Sequence, residues 1–287
     1  MDNLCNICPN ACGVNRNTSV GRCLVDNKIK IAKYYLHPFE EPVISGKNGS
    51  GTIFFTGCAL RCAFCQNYEV SRNTRGKIIT PFELADIFKE LEDMGANNIN
   101  LVTPSHYAYQ IIKAFEIYKP KIPIVYNTHG YELINTLKDI NAYIDVYLPD
   151  LKFKNPTVSK RYSGKENYFE YASNAIKFMM DSKKTIIEDG LIKSGVIVRH
   201  LILPLSSNDS VDIVNWFIEN KKNGAMFSLM GQYTPLGDIK NFKELSRKIT
   251  KAEYERVLKA LYKLDESECF IQDLSSASEN YLPKWDF

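Results

Sequence analysis

From residue 51 onward the chain alternates short apolar, β-branched runs with longer amphipathic ones, and this alternation constrains the fold more than any other feature. The strand-like runs are 52–56, 98–103, 123–127, 143–148, 196–203 and 225–230. The helix-like runs are 81–94, 105–118, 131–138, 167–182, 209–221 and 250–264. In the first of these, Thr80 suits the N-cap and Pro81 the first turn. Leu84, Ile87, Phe88 and Leu91 recur at helical spacing, and Gly95 suits the end. Strands alternating with helices imply βαβ units and a parallel sheet. Right-handed crossovers would curl six such units into a partial (βα)6 barrel.

The first strand-like run leads straight into Gly57-Cys58-Ala59-Leu60-Arg61-Cys62-Ala63-Phe64-Cys65-Gln66-Asn67. Three thiols on one short loop can wrap a small metal centre, and soft sulfur ligands suit iron–sulfur clusters or zinc. A [4Fe–4S] cube held by three cysteines keeps one iron open, and an open coordination position is what a catalytic metal centre needs. A structural zinc knuckle is the plainer alternative. It calls for a fourth ligand close by, and none follows in the next turn. The barrel reading independently puts this loop at the C-terminal mouth of the strands, where α/β proteins bind ligands.

A second cluster precedes the alternating region. Cys5, Cys8, Cys12 and Cys23 stand among Pro9, Gly13 and Gly21 in a short polar segment. Four cysteines at this density suggest a closed tetrathiolate site holding zinc or a second iron–sulfur cluster, with zinc the preferred reading because a closed site asks for no redox role. Residues 26–50, punctuated by Pro38, Pro42, Gly46 and Gly49, read as a connector with little regular structure. The expected organisation is therefore residues 1–50 as cysteine-rich extension and connector, 51–265 as the partial barrel, and 266–287 as an aromatic tail ending in Trp285, Asp286 and Phe287.

The chain has 287 residues, 45% of them hydrophobic, enough for a substantial core. A net charge of +3, with no basic stripe, gives no sign of a nucleic-acid partner. No secretory signal opens the sequence and no run approaches a membrane span, so a cytoplasmic setting without membrane association is expected. Seven of the eight cysteines fall in the two clusters, which fits metal ligation in a reducing compartment better than disulfides. Cys269 stands alone and reads as a packing residue.

In the barrel reading, residues just after each strand face the site. They are Thr103-Pro104-Ser105-His106, Asn127-Thr128-His129-Gly130, Asp150-Leu151-Lys152 and Gly231-Gln232-Tyr233. Arg199 and His200 lie within an apolar run, and alternation sends only one of them inward. Arg199 is read as inward and His200 as packed between sheet and helix.

The loop Cys-x3-Cys-x2-Cys with Phe64 before its last cysteine resembles the signature of radical S-adenosylmethionine (SAM) enzymes. Residues 51–235 look like the pyruvate formate-lyase activating enzyme branch of that superfamily. The whole chain is similar to a poorly characterised group of homologues of that enzyme. The likeness rests on Cys-x2-Cys-Pro-x2-Cys-Gly-Val-x-Arg from Cys5, Asn-Ile-Asn-Leu-Val-Thr-Pro-x-His at 98–106 and Tyr-Leu-Pro-Asp-Leu-Lys at 147–152. Arg-His-Leu-Ile-Leu-Pro at 199–204 and Met-x-Gln-Tyr at 230–233 complete it.

The resemblance implies a partial TIM barrel of radical SAM type, with Cys58, Cys62 and Cys65 on the [4Fe–4S] cluster. It implies a SAM pocket including Phe64, Gln66, Asp150, Lys152 and Arg199. Thr103 to His106 takes the place of a Gly-Gly-Glu element that holds the SAM amino group; its glutamate is absent, leaving Ser105 or backbone carbonyls to substitute. Asn127-Thr128 replaces an Asp-Thr pair, and Gln232 replaces a histidine near the ribose. A flavodoxin or ferredoxin-type electron donor is implied as partner.

The expected activity is reductive cleavage of SAM to a 5′-deoxyadenosyl radical that abstracts a hydrogen atom from a small molecule or a protein. The alternatives are activation of a glycyl-radical enzyme and, from a different class, a zinc-stabilised binding protein without catalysis.

Overall fold

The computed structural model describes residues 4–72, 74–274 and 285. Its strands are β1 (Ile29–His37), β2 (Ser50–Phe55), β3 (Lys77–Ile79), β4 (Ile99–Val102), β5 (Ile124–Thr128), β6 (Val146–Pro149), β7 (Ile186–Glu188), β8 (Leu191–Leu201), β9 (Met226–Met230) and β10 (Cys269–Ile271). The helices are α1 (Pro42–Ser45), α2 (Tyr68–Ser71), α3 (Pro81–Asp93), α4 (Ala108–Ile117), α5 (Ile134–Ile140), α6 (Pro156–Ser163), α7 (Tyr168–Ser182), α8 (Ser207–Asn220) and α9 (Lys251–Leu261). The sheet runs β10-β9-β8-β6-β5-β4-β2-β1-β3, with β7 hairpinned onto β8. Every neighbouring pair from β2 to β10 along that order is parallel, and β1 lies antiparallel to both β2 and β3. Among the described residues the order has two ends, so the sheet is an unclosed, curled α/β layer, as the partial-barrel reading expects.

The helices form for local reasons. Thr80 accepts from the Glu83 N–H while the Glu83 carboxylate accepts from the Thr80 N–H, and Pro81 sits at the first turn of α3. Such a capping box is worth about 1 kcal/mol. Leu84, Ile87, Phe88 and Leu91 form the buried stripe of α3. Past the helix, Gly95 takes φ +83°, a conformation costly for a side-chain-bearing residue.

The two faces of the sheet carry different work. On the outer face Tyr126, Tyr147, Val196, Val198 and Phe227 pack into the main core with the helices. On the inner face Val125, Val146, Leu148, Ile197 and Met226 form a second apolar layer that α1 closes by inserting Ile44. Because strand side chains alternate, moving two residues along each strand on this face reaches Asn127, Asp150, Arg199 and Ser228. The apolar layer is the floor, and the polar layer above it is the site.

Two expectations are corrected. Residues 26–50 do not form an irregular connector: Ile29–His37 is a strand with His37 opposite Ser50 and Tyr34 opposite Ile53. Its polar and apolar residues alternate weakly because it is only half covered, which hides it from pattern reading. The barrel also continues past its sixth parallel strand, since Cys269–Ile271 pairs with Phe227–Leu229. Three residues are too few to show a period of two, so pairing with β9 alone defines this strand. Of the aromatic tail, residues 266–274 and Trp285 are described, the rest lies outside the described residues, and the Trp285 ring packs edge-on against Phe54 at 5.3 Å.

Candidate active site

The cysteine loop leaves β2 through Gly57. Gly57 adopts φ +85°, and a Cβ there would stand 2.5 Å from the Cys23 carbonyl, so only glycine fits. The Cys58 N–H donates to that same carbonyl at 3.3 Å, and the Asn10 side-chain amide donates to Ala59 O at 2.9 Å. The N-terminal segment therefore packs directly on the loop. On the other side Ala63 N–H donates to Tyr162 O, Asp238 N–H donates to Ala63 O, and Arg72 donates to Arg61 O. Phe64 packs edge-on between Phe153 and Tyr162.

Cys58, Cys62 and Cys65 border one cavity of ≈ 1210 Å³, its open mouth included. The same cavity is bordered by Phe64, Gln66, Thr103, Asn127, Thr128, Asp150, Lys152, Arg199 and Gln232. Residues from six separate chain segments thus share one wall. Ser105 does not. It is fully buried behind the sheet, where it donates with Thr128 to the Glu132 carboxylate. Thr103 borders the cavity at φ +59°, a position where a β-branched residue is strained by about 1–3 kcal/mol.

The charged groups form a chain. Lys152 Nζ donates to Asp150 Oδ2 at 2.6 Å, and Arg199 Nε donates to Asp150 Oδ1 at 3.0 Å. Arg199 also meets Glu40 Oε2 at 3.0 Å and donates to Asn127 Oδ1. Burial works against ionising Asp150, yet Lys152 and Arg199 outweigh it and hold its carboxyl below the usual range. Burial likewise opposes charge on Arg199, and Asp150, Glu40 and Glu41 more than restore it. His200 points the other way, between Leu151 O at 2.7 Å and Ser210 Oγ at 2.8 Å, and burial pushes its pKa down to about 4.

Among the described residues no three His, Cys, Asp or Glu side chains converge as a formed metal site. The fit of an iron–sulfur cluster therefore rests on the donor set and its surroundings. Burial pushes the Cys58 thiol up to about 11 and raises Cys62 further, with Lys152 only partly opposing the latter. Thiolates here need a positive centre among them, which a metal cluster supplies. The cavity beside them gives that centre an open side. The donor set fits.

The N-terminal thiols are placed differently. Cys12 Sγ accepts from the Arg22 N–H at 3.3 Å, and Cys8 Sγ accepts from the Asn10 amide at 3.5 Å. A Cβ on Gly21 would lie 3.5 Å from Cys12 Sγ and 3.6 Å from Cys23 Sγ, which makes those sulfurs neighbours. Burial pushes Cys8 up to about 12 and raises Cys23.

Sequence reading missed Glu40, His37, Phe39 and Phe54, which border the same cavity from β1, β2 and the turn after β1. Only the adjacent acids Glu40-Glu41 in a Pro-flanked turn hinted at a buried role. It also left His129 unassigned. That ring accepts the Tyr131 N–H at Nδ1, its Nε2 has no partner among the described residues, and burial pushes its pKa down to about 3.

An open parallel α/β sheet with a three-thiol loop at the C-terminal end of its first parallel strand defines a class of cluster-bearing enzyme. The radical SAM superfamily pattern matches residues 52–198, and the chain belongs to that superfamily. Membership implies an enzyme that uses a [4Fe–4S] cluster and SAM for radical chemistry. An uncharacterized protein of Methanocaldococcus jannaschii is 31% identical over 275 residues, covering 91% of this chain and 75% of its own length. SuiB of Streptococcus suis, solved with bound S-adenosylmethionine, superposes with TM-score 0.50 at 15% identity over 75% of this chain. Methylornithine synthase gives TM-score 0.52 at 14% identity over 75%. The chain spans 47% of the SuiB chain and 60% of the synthase, and these likenesses concern the fold. Among the described residues no helix is long and apolar enough to cross a membrane.

Proposed function

We propose that this enzyme cleaves SAM reductively and removes a hydrogen atom from a small molecule or a side chain of another protein. The supporting observation is the meeting of Cys58, Cys62 and Cys65 with Asp150, Lys152, Arg199, Asn127 and Gln232 around one cavity. With cluster and SAM bound, the chemistry supplied is a 5′-deoxyadenosyl radical. The loop thiols hold the cluster at the mouth. Lys152, braced by Asp150, would present its ammonium to the SAM carboxylate, with the Arg199 guanidinium held beside it through Asp150. Asn127, Thr103 and Gln232 supply neutral polar contacts, while the Thr128 hydroxyl is committed to Glu132 behind the sheet, and Phe64 and Gln66 close the loop side. Electrons come from a flavodoxin or ferredoxin-type donor. Cys5, Cys8, Cys12 and Cys23 hold a structural metal, zinc by preference, in a cytoplasmic protein.

The replacement of Gly-Gly-Glu by Thr103 to His106 favours this reading over activation of a glycyl-radical enzyme. The test is anaerobic reconstitution with iron and sulfide, then assay with dithionite and SAM. A brown protein that forms 5′-deoxyadenosine supports the proposal. A colourless zinc protein with no SAM cleavage overturns it in favour of a binding protein.

A further inference from the structure

Glu40 lies outside the matched residues 52–198, in the turn that carries the chain from β1 into α1. Its carboxylate reaches into the sheet and gathers donors from three strands. Oε1 accepts from Asn100 Nδ2 of β4 at 2.9 Å and from Asn127 Nδ2 of β5 at 3.2 Å. Oε2 accepts from Arg199 Nη1 of β8 at 3.0 Å. Asn127 in turn accepts from Arg199 through Oδ1, so the three side chains close a ring. That ring fixes which end of the Asn127 amide faces the guanidinium.

The charge balance depends on the same residue. Arg199 and Lys152 both bond Asp150, and Glu40 is the second carboxylate bonded to this pair of cations. Without it, Arg199 would share Asp150 with Lys152, with the Glu41 charge nearby, but no ring through Asn127 would hold its guanidinium in the one orientation that meets a ligand carboxylate. The Glu40 oxygens already accept three donors, and its side chain is only 10% exposed. It therefore acts through its partners rather than on the ligand.

We propose that Glu40 is a positioning residue for SAM: it sets the orientation of Arg199 and Asn127, and through Arg199 the share of Asp150 left for Lys152. The inference rests on the radical SAM reading of the cavity. Its test is the Glu40→Gln variant, which keeps the volume and loses the charge. SAM is titrated into the reconstituted, reduced protein and followed by the electron paramagnetic resonance of the cluster. The expected result is SAM binding weakened about tenfold and a changed SAM-bound spectrum, with iron content as in the native chain. Unchanged affinity and spectrum beside a lowered melting temperature would reduce Glu40 to a brace and overturn the proposal. Should Glu40→Gln fail to fold, Asn100→Ala removes one of the three donors from outside the cavity. It should weaken SAM binding about threefold, and unaltered binding again overturns the proposal. Failure of the native chain to take up a cluster or bind SAM would instead sink the reading of the site.

Discussion

The two cysteine regions use the same atoms for different ends. Cys58 and Cys62 are buried about as deeply as Cys8 and Cys23, so exposure does not separate them. What separates them is what the sulfurs face. The loop thiols border a wide cavity ringed by Glu40 from the turn after β1, Asp150 and Lys152 just past β6, and Arg199 of β8. Cys8 and Cys12 instead turn toward an Asn amide and a backbone N–H within their own segment. An open side permits a ligand on the metal, and a closed shell of N–H donors stabilises thiolate without one. The regions are nonetheless joined, since the Cys23 carbonyl accepts the Cys58 N–H.

The widest expected contrast comes from deleting thiols on each side. Cys62→Ala should abolish 5′-deoxyadenosine formation and lose the catalytic iron. Cys8→Ser with Cys12→Ser should release one metal and lower the melting temperature, because metal binding in such a site is part of the folding free energy. Cleavage should fall less than in Cys62→Ala. Equal loss of cleavage in both, measured with metal content, would erase the distinction between the regions.

The joint itself can be strained. Gly57→Ala adds a Cβ 2.5 Å from the Cys23 carbonyl at φ +85°, so backbone must move. A loss of more than about 1 kcal/mol in denaturant unfolding is expected. Lower cluster loading at equal protein should accompany it. Native-like stability and loading would mean that the two regions are only loosely apposed.

The pH-dependent effect concerns Glu132, which accepts from Ser105 and Thr128 behind the site and whose charge adds to the burial that raises the Cys8 thiol on the other side. Burial pushes its pKa up to about 7, against the opposing bonds from Ser105 and Thr128. A raised carboxyl contributes stability that is full below the unfolded value near 4.5 and is lost as pH rises through 7. Over that window the native chain should lose about 3 kcal/mol from this group. Glu132→Gln should flatten the slope, read from chemical denaturation at pH 5 and pH 8. Equal slopes in the two proteins would show that Glu132 stays ionised throughout.

Much of this was legible from residues in order. Each of the six alternating strand-like runs corresponds to a strand, and Thr80-Pro81 with Glu83 starts α3. The three-thiol loop needed only its spacing. Arg199 could be turned inward and His200 outward because side chains alternate along a strand. These features depend on neighbours within a few residues, where periodicity and capping chemistry act. Strand β1 escaped because its alternation is weak, and β10 because it is three residues long.

Convergence belonged to the tertiary structure. Glu40 meets Arg199 across 159 residues of chain, and no local pattern encodes that meeting. Ser105 shows the same limit in reverse. It follows a site strand in sequence, yet it turns behind the sheet to serve Glu132. The sequence alone determined the α/β alternation, the three-cysteine loop and the donors available at each strand end. Only the packed sheet, through its register and the close contact of Gly57 with Cys23, decided which of those donors share a cavity and how their charges are neutralised.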